Sequence, residues 1–296
     1  MRGVSAREAL DGALTAFTAA GVETPRLDAE ILLAHALGVD RTRLHIERDL
    51  RVEGPAVRAF QDAVRRRAAA REPVAYITGV RGFRRLELAV DRRALIPRPE
   101  TELLVEVAQG LPPGGHGSGG PPTGSGLPVG ARVLDVGTGS GAVALALKDE
   151  RPDLAVTGSD MSAQALALAR ENGERTALEV AWLQADLLDG VADEHDAVVC
   201  NPPYVADGER ASLAPEILRH EPPGALFAGP DGLAVISRLC AQLAVRPSVC
   251  FVALEVGAGQ APSVTELLRG AGFSAVRAAR DLAGVERVVV GERPGI

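Results

Sequence analysis

Val133-Leu134-Asp135-Val136-Gly137-Thr138-Gly139-Ser140-Gly141 decides the fold. An apolar strand runs into a glycine turn, and Ala142-Val143-Ala144-Leu145 opens a helix directly after it. Glycines allow a sharp turn and a close approach of backbone to a ligand. The helix start presents unpaired N–H groups to whatever the turn holds. The spacing is G-x-G-x-G with an acid two residues before the first glycine. A dinucleotide fingerprint wants G-x-G-x-x-G.

Strands and helices alternate from there. Strands are expected at 132–136, 154–159, 179–184, 196–200, 249–256, 274–279 and 286–291. Helices are expected at 141–149, 162–172, 231–244 and 261–270. Such alternation predicts an α/β fold with a doubly wound, mainly parallel sheet of seven strands. The short Arg280–Val285 connection makes the last strand antiparallel. Open sheets of this kind bind ligands at the carboxyl ends of their strands. Acids stand at three of those ends: Asp135, Asp160 and Asp186.

The glycine turn resembles the S-adenosylmethionine-binding turn of Rossmann-like class I methyltransferases. The resemblance implies a cofactor site at Asp135, Gly137, Thr138, Gly139, Ser140 and Gly141. Asp135 would help hold the ammonium of the cofactor's amino-acid tail. Asp160 would accept from the ribose hydroxyls, Asp186 from the adenine amino group, and Leu187 would pack the ring.

The fourth strand ends in Asn201-Pro202-Pro203-Tyr204. Asn201 supplies an amide oxygen, and Pro202 a carbonyl with no competing N–H. Two acceptors can take both hydrogens of an –NH2 group. Tyr204 can stack on or wall the planar group that bears it. An amide or exocyclic nitrogen is a poor nucleophile, so transfer to it needs positioning and desolvation more than a strong base. The tetrapeptide resembles that of amino-methyltransferases acting on adenine N6, on some guanines of ribosomal RNA, and on glutamine side chains.

Ahead of the sheet the chain reads as helical. Ser5 and Glu8 form a capping box, and Ala9, Leu10, Ala13, Leu14 and Phe17 follow at helical spacing. Thr24-Pro25 opens a second helix that Gly38 ends. A third lies near 40–47 and a fourth from Pro55 to about Ala70. Tyr76–Gly79 and Leu86–Val90 are expected to pair as a hairpin. A helix over 97–109 is expected to pack on the sheet, and the Gly/Pro/Ser-rich stretch 110–130 to form a flexible loop. The domains are then a helical one (1–73), a hairpin connector (74–96) and a catalytic one (97–296).

Composition supports this reading. The 296 residues are 46% hydrophobic and 24% charged, as in ordinary globular proteins. No apolar run of about 18 residues occurs, so no membrane span is expected. The N-terminus carries charge where a leader needs an apolar core, which predicts a cytoplasmic chain. Cys200, Cys240 and Cys250 form no CxxC and read as reduced structural thiols, and five scattered histidines offer no metal site. Residues 1–110 hold 18 arginines against 16 acids, while the whole chain carries −7. A mildly basic front on an acidic body suits a binding module on an enzyme, and not a protein that grips long DNA. Arg65, Arg66, Arg67, Arg71, Arg81, Arg84 and Arg85 form a basic concentration that reads either as a solvated helix face or as a patch that touches a partner.

Several further blocks are similar to the HemK family, the methyltransferases of peptide-chain release factors. They are Arg71–Gly79, Phe83, Leu95–Glu102, Val133–Leu147, Asn201–Val205, His220–Pro222, Gly229–Leu233, Leu254–Gly257 and Arg280–Arg287. They follow the family order from residue 5 to about 291. The resemblance implies methylation at N5 of the glutamine in the Gly-Gly-Gln loop of release factors, with S-adenosylmethionine as donor. It implies that the helical domain holds the release factor. Asn201, Pro202, Pro203 and Tyr204 would bind the side-chain amide, and Asn201 would also line the cofactor site. The chain departs from the family in its longer 110–130 loop and in Leu187, where an aromatic is expected. A monomer without stable nucleic-acid binding is expected. The alternatives are a nucleic-acid amino-methyltransferase, which would need a target-recognition segment and base flipping, and a non-catalytic cofactor-binding module.

Overall fold

The computed structural model describes residues 4–47, 50–114 and 126–294. The chain forms two compact units. One runs to Val80 and includes Leu213–Glu221; the other comprises Arg81–Ser212 and the chain from Pro222 onward.

The first unit is helical. A two-residue antiparallel pairing joins β1 (Val4–Ser5) to β2 (Arg51–Val52). Its main helices are α1 (Ala6–Ala19), α2 (Pro25–Leu37), α3 (Arg41–Ile46) and α4 (Pro55–Ala69). The Ser5–Glu8 capping box forms as expected, with Ser5 N–H on Glu8 Oε2 at 2.8 Å and Glu8 N–H on Ser5 Oγ at 3.2 Å. Phe17, Leu32, Leu33 and Phe60 fill the core. The expected hairpin strand near Tyr76 is instead a fifth helix, α5 (Val74–Thr78). Tyr76 and Ile77 both donate their N–H to the Pro73 carbonyl, and Gly79 closes the turn in the left-handed region at φ 76°.

Several arginines of the basic concentration are used internally. Arg67 is buried and donates to Asp28 Oδ2 at 2.7 Å and to Glu216 Oε1 at 2.8 Å. Arg71 reaches the same Glu216 oxygen at 2.9 Å, and Arg66 takes Glu72. Glu216 sits on a short helix, Pro215–His220, contributed to this unit from much later in the chain.

A hairpin pairs β3 (Val80–Phe83), which starts at the last residue of the first unit, with β4 (Leu86–Ala89); the second strand lies where expected, and the first follows α5. Pro99–Thr101 is a 3₁₀ turn, and α6 (Glu102–Ala108) follows, buried throughout its last six residues. The middle of the expected 110–130 loop, 115–125, lies outside the described residues. Its flank at Leu127 is buried, with its N–H on the Ala108 carbonyl. The sheet then builds from β5 (Arg132–Val136), α7 (Ala142–Glu150), β6 (Ala155–Asp160), α8 (Ala163–Thr176), β7 (Ala181–Gln184) and β8 (Ala197–Cys200). The Pro215–His220 helix is α9. The unit finishes with α10 (Ala234–Ala244), β9 (Phe251–Glu255), α11 (Ala261–Gly270), β10 (Ala275–Arg280) and β11 (Glu286–Glu292).

The spatial order is β10-β11-β9-β8-β5-β6-β7. Neighbours from β9 to β7 are parallel, and β11 runs antiparallel to both β9 and β10. This is the Rossmann-like sheet that the strand–helix alternation predicts. Successive strand residues face opposite sides. Val133, Val199, Ala253 and Val288 join α6 and α7 in one core layer, while Leu134, Val198, Val252 and Val289 join α10 and α11 in the other.

Arg84 shows how tightly the hairpin is held. It occupies the hairpin tip at φ 52° and is almost wholly buried. It donates to Glu106 Oε1 at 2.7 Å and to both Glu150 oxygens at 2.8 Å. Removing it would strand two buried carboxylates. Arg84→Ala is therefore expected to cost about 3–5 kcal/mol in urea unfolding. A loss well under about 1 kcal/mol, as for an exposed pair, would contradict this account.

Candidate active site

Parallel register brings three strand ends to one edge. Val136 pairs with Ser159 on one side and Cys200 on the other, so the chain leaves β5, β6 and β8 together at Gly137, Asp160 and Asn201. A cavity of about 420 Å³ opens there.

Asp135 organises the glycine turn. Its carboxylate is buried, and Oδ2 accepts from Thr138 Oγ1 at 2.6 Å and from Ala144 N–H at 3.1 Å. It thereby caps the start of α7, a task that Gly141 at the N-cap position has no side chain to perform. Gly141 stands at φ 83°, and a Cβ there would lie 2.9 Å from Trp182. Its glycine answers to the packing of Trp182; it is not among the residues that line the cavity. Gly137, Thr138, Gly139 and Ser140 do line it.

Asp160 ends β6 and holds the turn from the other side. Oδ2 accepts Gly139 N–H at 3.0 Å and Oδ1 accepts Ser162 N–H at 2.8 Å. Asn172, which stands in no sequence motif, pins the turn from behind. Its Nδ2 donates to the Ser140 carbonyl at 2.9 Å and to the Ala89 carbonyl at 3.0 Å.

Asp186 and Leu187 line the far side of the cavity. The Asp186 carboxylate is paired with Arg238 of α10 at 2.7 Å, and Leu187 adopts φ 55°. Met161 and Arg238, which no sequence motif marks, also line the cavity.

Asn201 and Pro203 line the near side; Pro202 and Tyr204 do not. Pro202 is buried, and Tyr204 packs into the core layer of α10 and α11. The Tyr204 carbonyl accepts from Gln260 Nε2 at 3.0 Å. A Cβ on Gly232 would fall 2.2 Å from that carbonyl, so this close approach demands glycine. The loop is further clamped by Val205 N–H on the Leu226 carbonyl and Ala228 N–H on the Val205 carbonyl, both at 2.9 Å. The Tyr204 hydroxyl approaches Glu255 Oε1 at 3.4 Å. Burial pushes the Tyr204 phenol up to about 12.

A matching family model covers residues 8–79 as a PrmC N-terminal domain, and a second covers 125–236 as a methyltransferase small domain. The release factor glutamine methyltransferase of Deinococcus radiodurans is 38% identical over 98% of this chain and 99% of its own. The chain belongs to the release factor glutamine methyltransferase family. The Mycolicibacterium smegmatis member is 40% identical over 97% of both chains. The hMettl16 catalytic domain, solved with a MAT2A 3'UTR hairpin, superposes with TM-score 0.54 at 15% identity over 82% of each chain. That likeness is one of fold. Among the described residues no helix is long and apolar enough to cross a membrane.

Burial raises the Asp135 carboxyl from 3.8 to about 7, against the hydrogen bonds that favour its charge. The folded chain thus retains a proton that the unfolded chain releases near 3.8. This contribution to stability is full below that value and is lost as pH rises through about 7. Wild type is expected to lose stability relative to Asp135→Asn between pH 4 and 7, at up to about 1.4 kcal/mol per pH unit. Thermal unfolding of both across that range checks it, and a constant difference would contradict it.

Proposed function

We propose that this chain transfers the methyl group of S-adenosylmethionine to N5 of the glutamine in the Gly-Gly-Gln loop of peptide-chain release factors. The observation that carries the reading is Asn201 at the lip of a cavity whose other walls suit that donor. Two buried or half-buried carboxylates, Asp135 and Asp160, suit a ligand bearing an ammonium, a sulfonium and ribose hydroxyls, and would repel phosphates. Gly137 leaves open space where a Cβ would stand, and a Cβ at Gly139 would make only ordinary contacts with Ala94 and the Gly137 carbonyl, so a ligand can lie against the backbone.

Asp135, Gly137, Thr138, Gly139, Ser140 and Asp160 would hold the cofactor, with Gly141 supporting the turn from behind. Asp186, Leu187 and Met161 would flank its adenine end. When bound, the cofactor supplies an electrophilic methyl carbon on sulfur. The Asn201 side-chain oxygen would accept one hydrogen of the substrate amide and the Pro202 main-chain carbonyl the other, although Pro202 itself is buried beside the cavity and does not line it. That fixes the nitrogen's remaining lone-pair direction toward the methyl carbon. The nitrogen's electron pair would form the new N–C bond, the sulfur would keep the C–S pair and leave as a neutral thioether, and the surplus amide proton would pass from its hydrogen-bond acceptor to solvent. Leu95, Ile96, Pro97 and Pro203 give a low-polarity wall against which the donor's positive charge disperses. Tyr204 braces the loop from the core side instead of lining the cavity.

The helical domain, 1–73 in the division proposed here, would hold the release factor, with 74–96 as connector and 97–296 as the catalytic part. Arg67 and Arg84 are buried and unavailable for that contact, whereas Arg65 and Arg85 are exposed. The reading is of a cytoplasmic monomer that forms no stable complex with nucleic acid.

Asn201→Ala is expected to lower kcat on intact release factor by about 100-fold, the usual effect of deleting one preorganised polar contact. Its Kd for S-adenosylmethionine, measured by calorimetry, should stay within about threefold, less than 1 kcal/mol. Undiminished transfer would remove Asn201 from the reaction.

A further inference from the structure

From Asn201 two buried polar groups follow one another: Thr101, which also lines the cavity, and Glu255. Asn201 Nδ2 donates to Thr101 Oγ1 at 3.0 Å. The Thr101 hydroxyl donates in turn to the Glu255 carboxyl. Thr101 is 4% exposed and Glu255 1%. Glu255 ends β9 and points to the same layer as Ala253 and Phe251. Its Oε1 also meets the Tyr204 hydroxyl, and its Oε2 is buried without a partner. Glu255 does not line the cavity.

A carboxyl buried this deeply has a desolvation cost and needs a reason. The Asn201 amide supplies one. Its oxygen and nitrogen ends are nearly equal in size, so shape alone does not decide which end faces the cavity. A hydroxyl carries one hydrogen. Once Thr101 has given that hydrogen to Glu255, its oxygen offers only lone pairs to Asn201. The NH2 end must then face Thr101, and Oδ1 is left for the cavity. A neutral Glu255 could instead donate to Thr101. Thr101 would then donate to Asn201 Oδ1, and the amide would turn its NH2 toward the substrate nitrogen, donor against donor.

We propose that Glu255 and Thr101 are positioning residues that set the direction of the Asn201 amide, keeping its oxygen toward the substrate –NH2 group. This rests on the role given to Asn201 above. The groups facing Glu255 come from four elements. Arg287 on β11 favours its charge, as do the Thr101 and Tyr204 hydroxyls. Glu100 in the 3₁₀ turn opposes it, and Cys200 at the end of β8 is a neutral thiol pushed well up by burial. Burial outweighs the favourable contacts and lifts Glu255 to about 7. The carboxylate form, and with it the correct amide direction, is present above that pH and lost as pH falls through it.

The test uses the full chain with intact release factor, at saturating levels of both substrates so that cofactor binding does not enter. Kcat, KM for release factor and the Kd for S-adenosylmethionine are measured for wild type, Thr101→Val, Thr101→Ser and Glu255→Gln from pH 5.5 to 8.5. Thr101→Val and Glu255→Gln should each lower kcat at pH 8 by about tenfold, the worth of one hydrogen bond, with the Kd for the cofactor unchanged. Thr101→Ser should recover most of that loss. Wild-type kcat should fall as pH drops through about 7, and Glu255→Gln should lack this acid limb. Wild-type turnover in Thr101→Val, equal loss in Thr101→Ser, or an acid limb persisting in Glu255→Gln would each overturn the inference. An unfolded Thr101→Val leaves the Thr101→Ser and Glu255→Gln arms to decide. If Asn201→Ala is inactive while both Thr101→Val and Glu255→Gln are fully active, only the relay fails. If Asn201→Ala is active, the reading beneath it fails.

Discussion

Everything at the catalytic edge depends on one buried carboxylate. Asp135 sits at the end of the central strand and accepts from the Thr138 hydroxyl and the Ala144 N–H. The first contact curls the glycine turn back on its strand, and the second caps the helix that follows. Hydrophobic burial can bring α7 to the sheet, but it is non-directional. The two hydrogen bonds fix where the helix begins and therefore where its unpaired N–H groups face. A full charge in that position is expensive, and burial raises the group from 3.8 to about 7. A cationic ligand would offset that cost.

Parallel pairing transmits this arrangement sideways. With Val136 in register with both Ser159 and Cys200, the residues after them emerge side by side. One strand supplies the turn, one supplies Asp160, and one supplies Asn201. The site thus stands on rigid elements, and the Asn-Pro-Pro-Tyr loop is held by Gln260, Gly232 and the Leu226–Ala228 segment. Prolines in that loop remove competing donors as well as fixing the backbone.

Features that depend on neighbours in sequence were legible. The strand–turn–helix at Val133–Leu145, the Ser5–Glu8 box and the order of the sheet elements all express local periodicity and capping. The Val74–Thr78 helix was not, because a short apolar run bounded by Pro73 and Gly79 suits either a strand or one helical turn. What selects the helix is the Pro73 carbonyl, which takes two N–H groups. Arg67, Arg71 and Arg84 turn inward for a reason that no local pattern carries. Their acids, Glu106, Glu150 and Glu216, lie far along the chain, and no spacing rule pairs Arg84 with Glu150 or Arg71 with Glu216. The same distance hid Thr101 and Glu255, which meet Asn201 only through the fold. Both stood inside blocks that mark the family, Leu95–Glu102 and Leu254–Gly257, without a chemical role attached to them. Gly141 was legible as glycine but not as to cause: the reason is Trp182, far along the chain on β7.

The most direct test of the account is mass spectrometry of a release factor incubated with this protein and S-adenosylmethionine, followed by peptide mapping. The account predicts a single added methyl group, on the glutamine of the Gly-Gly-Gln loop. A release factor left unmodified by protein that still binds the cofactor, or a methyl group on any other residue, would contradict it.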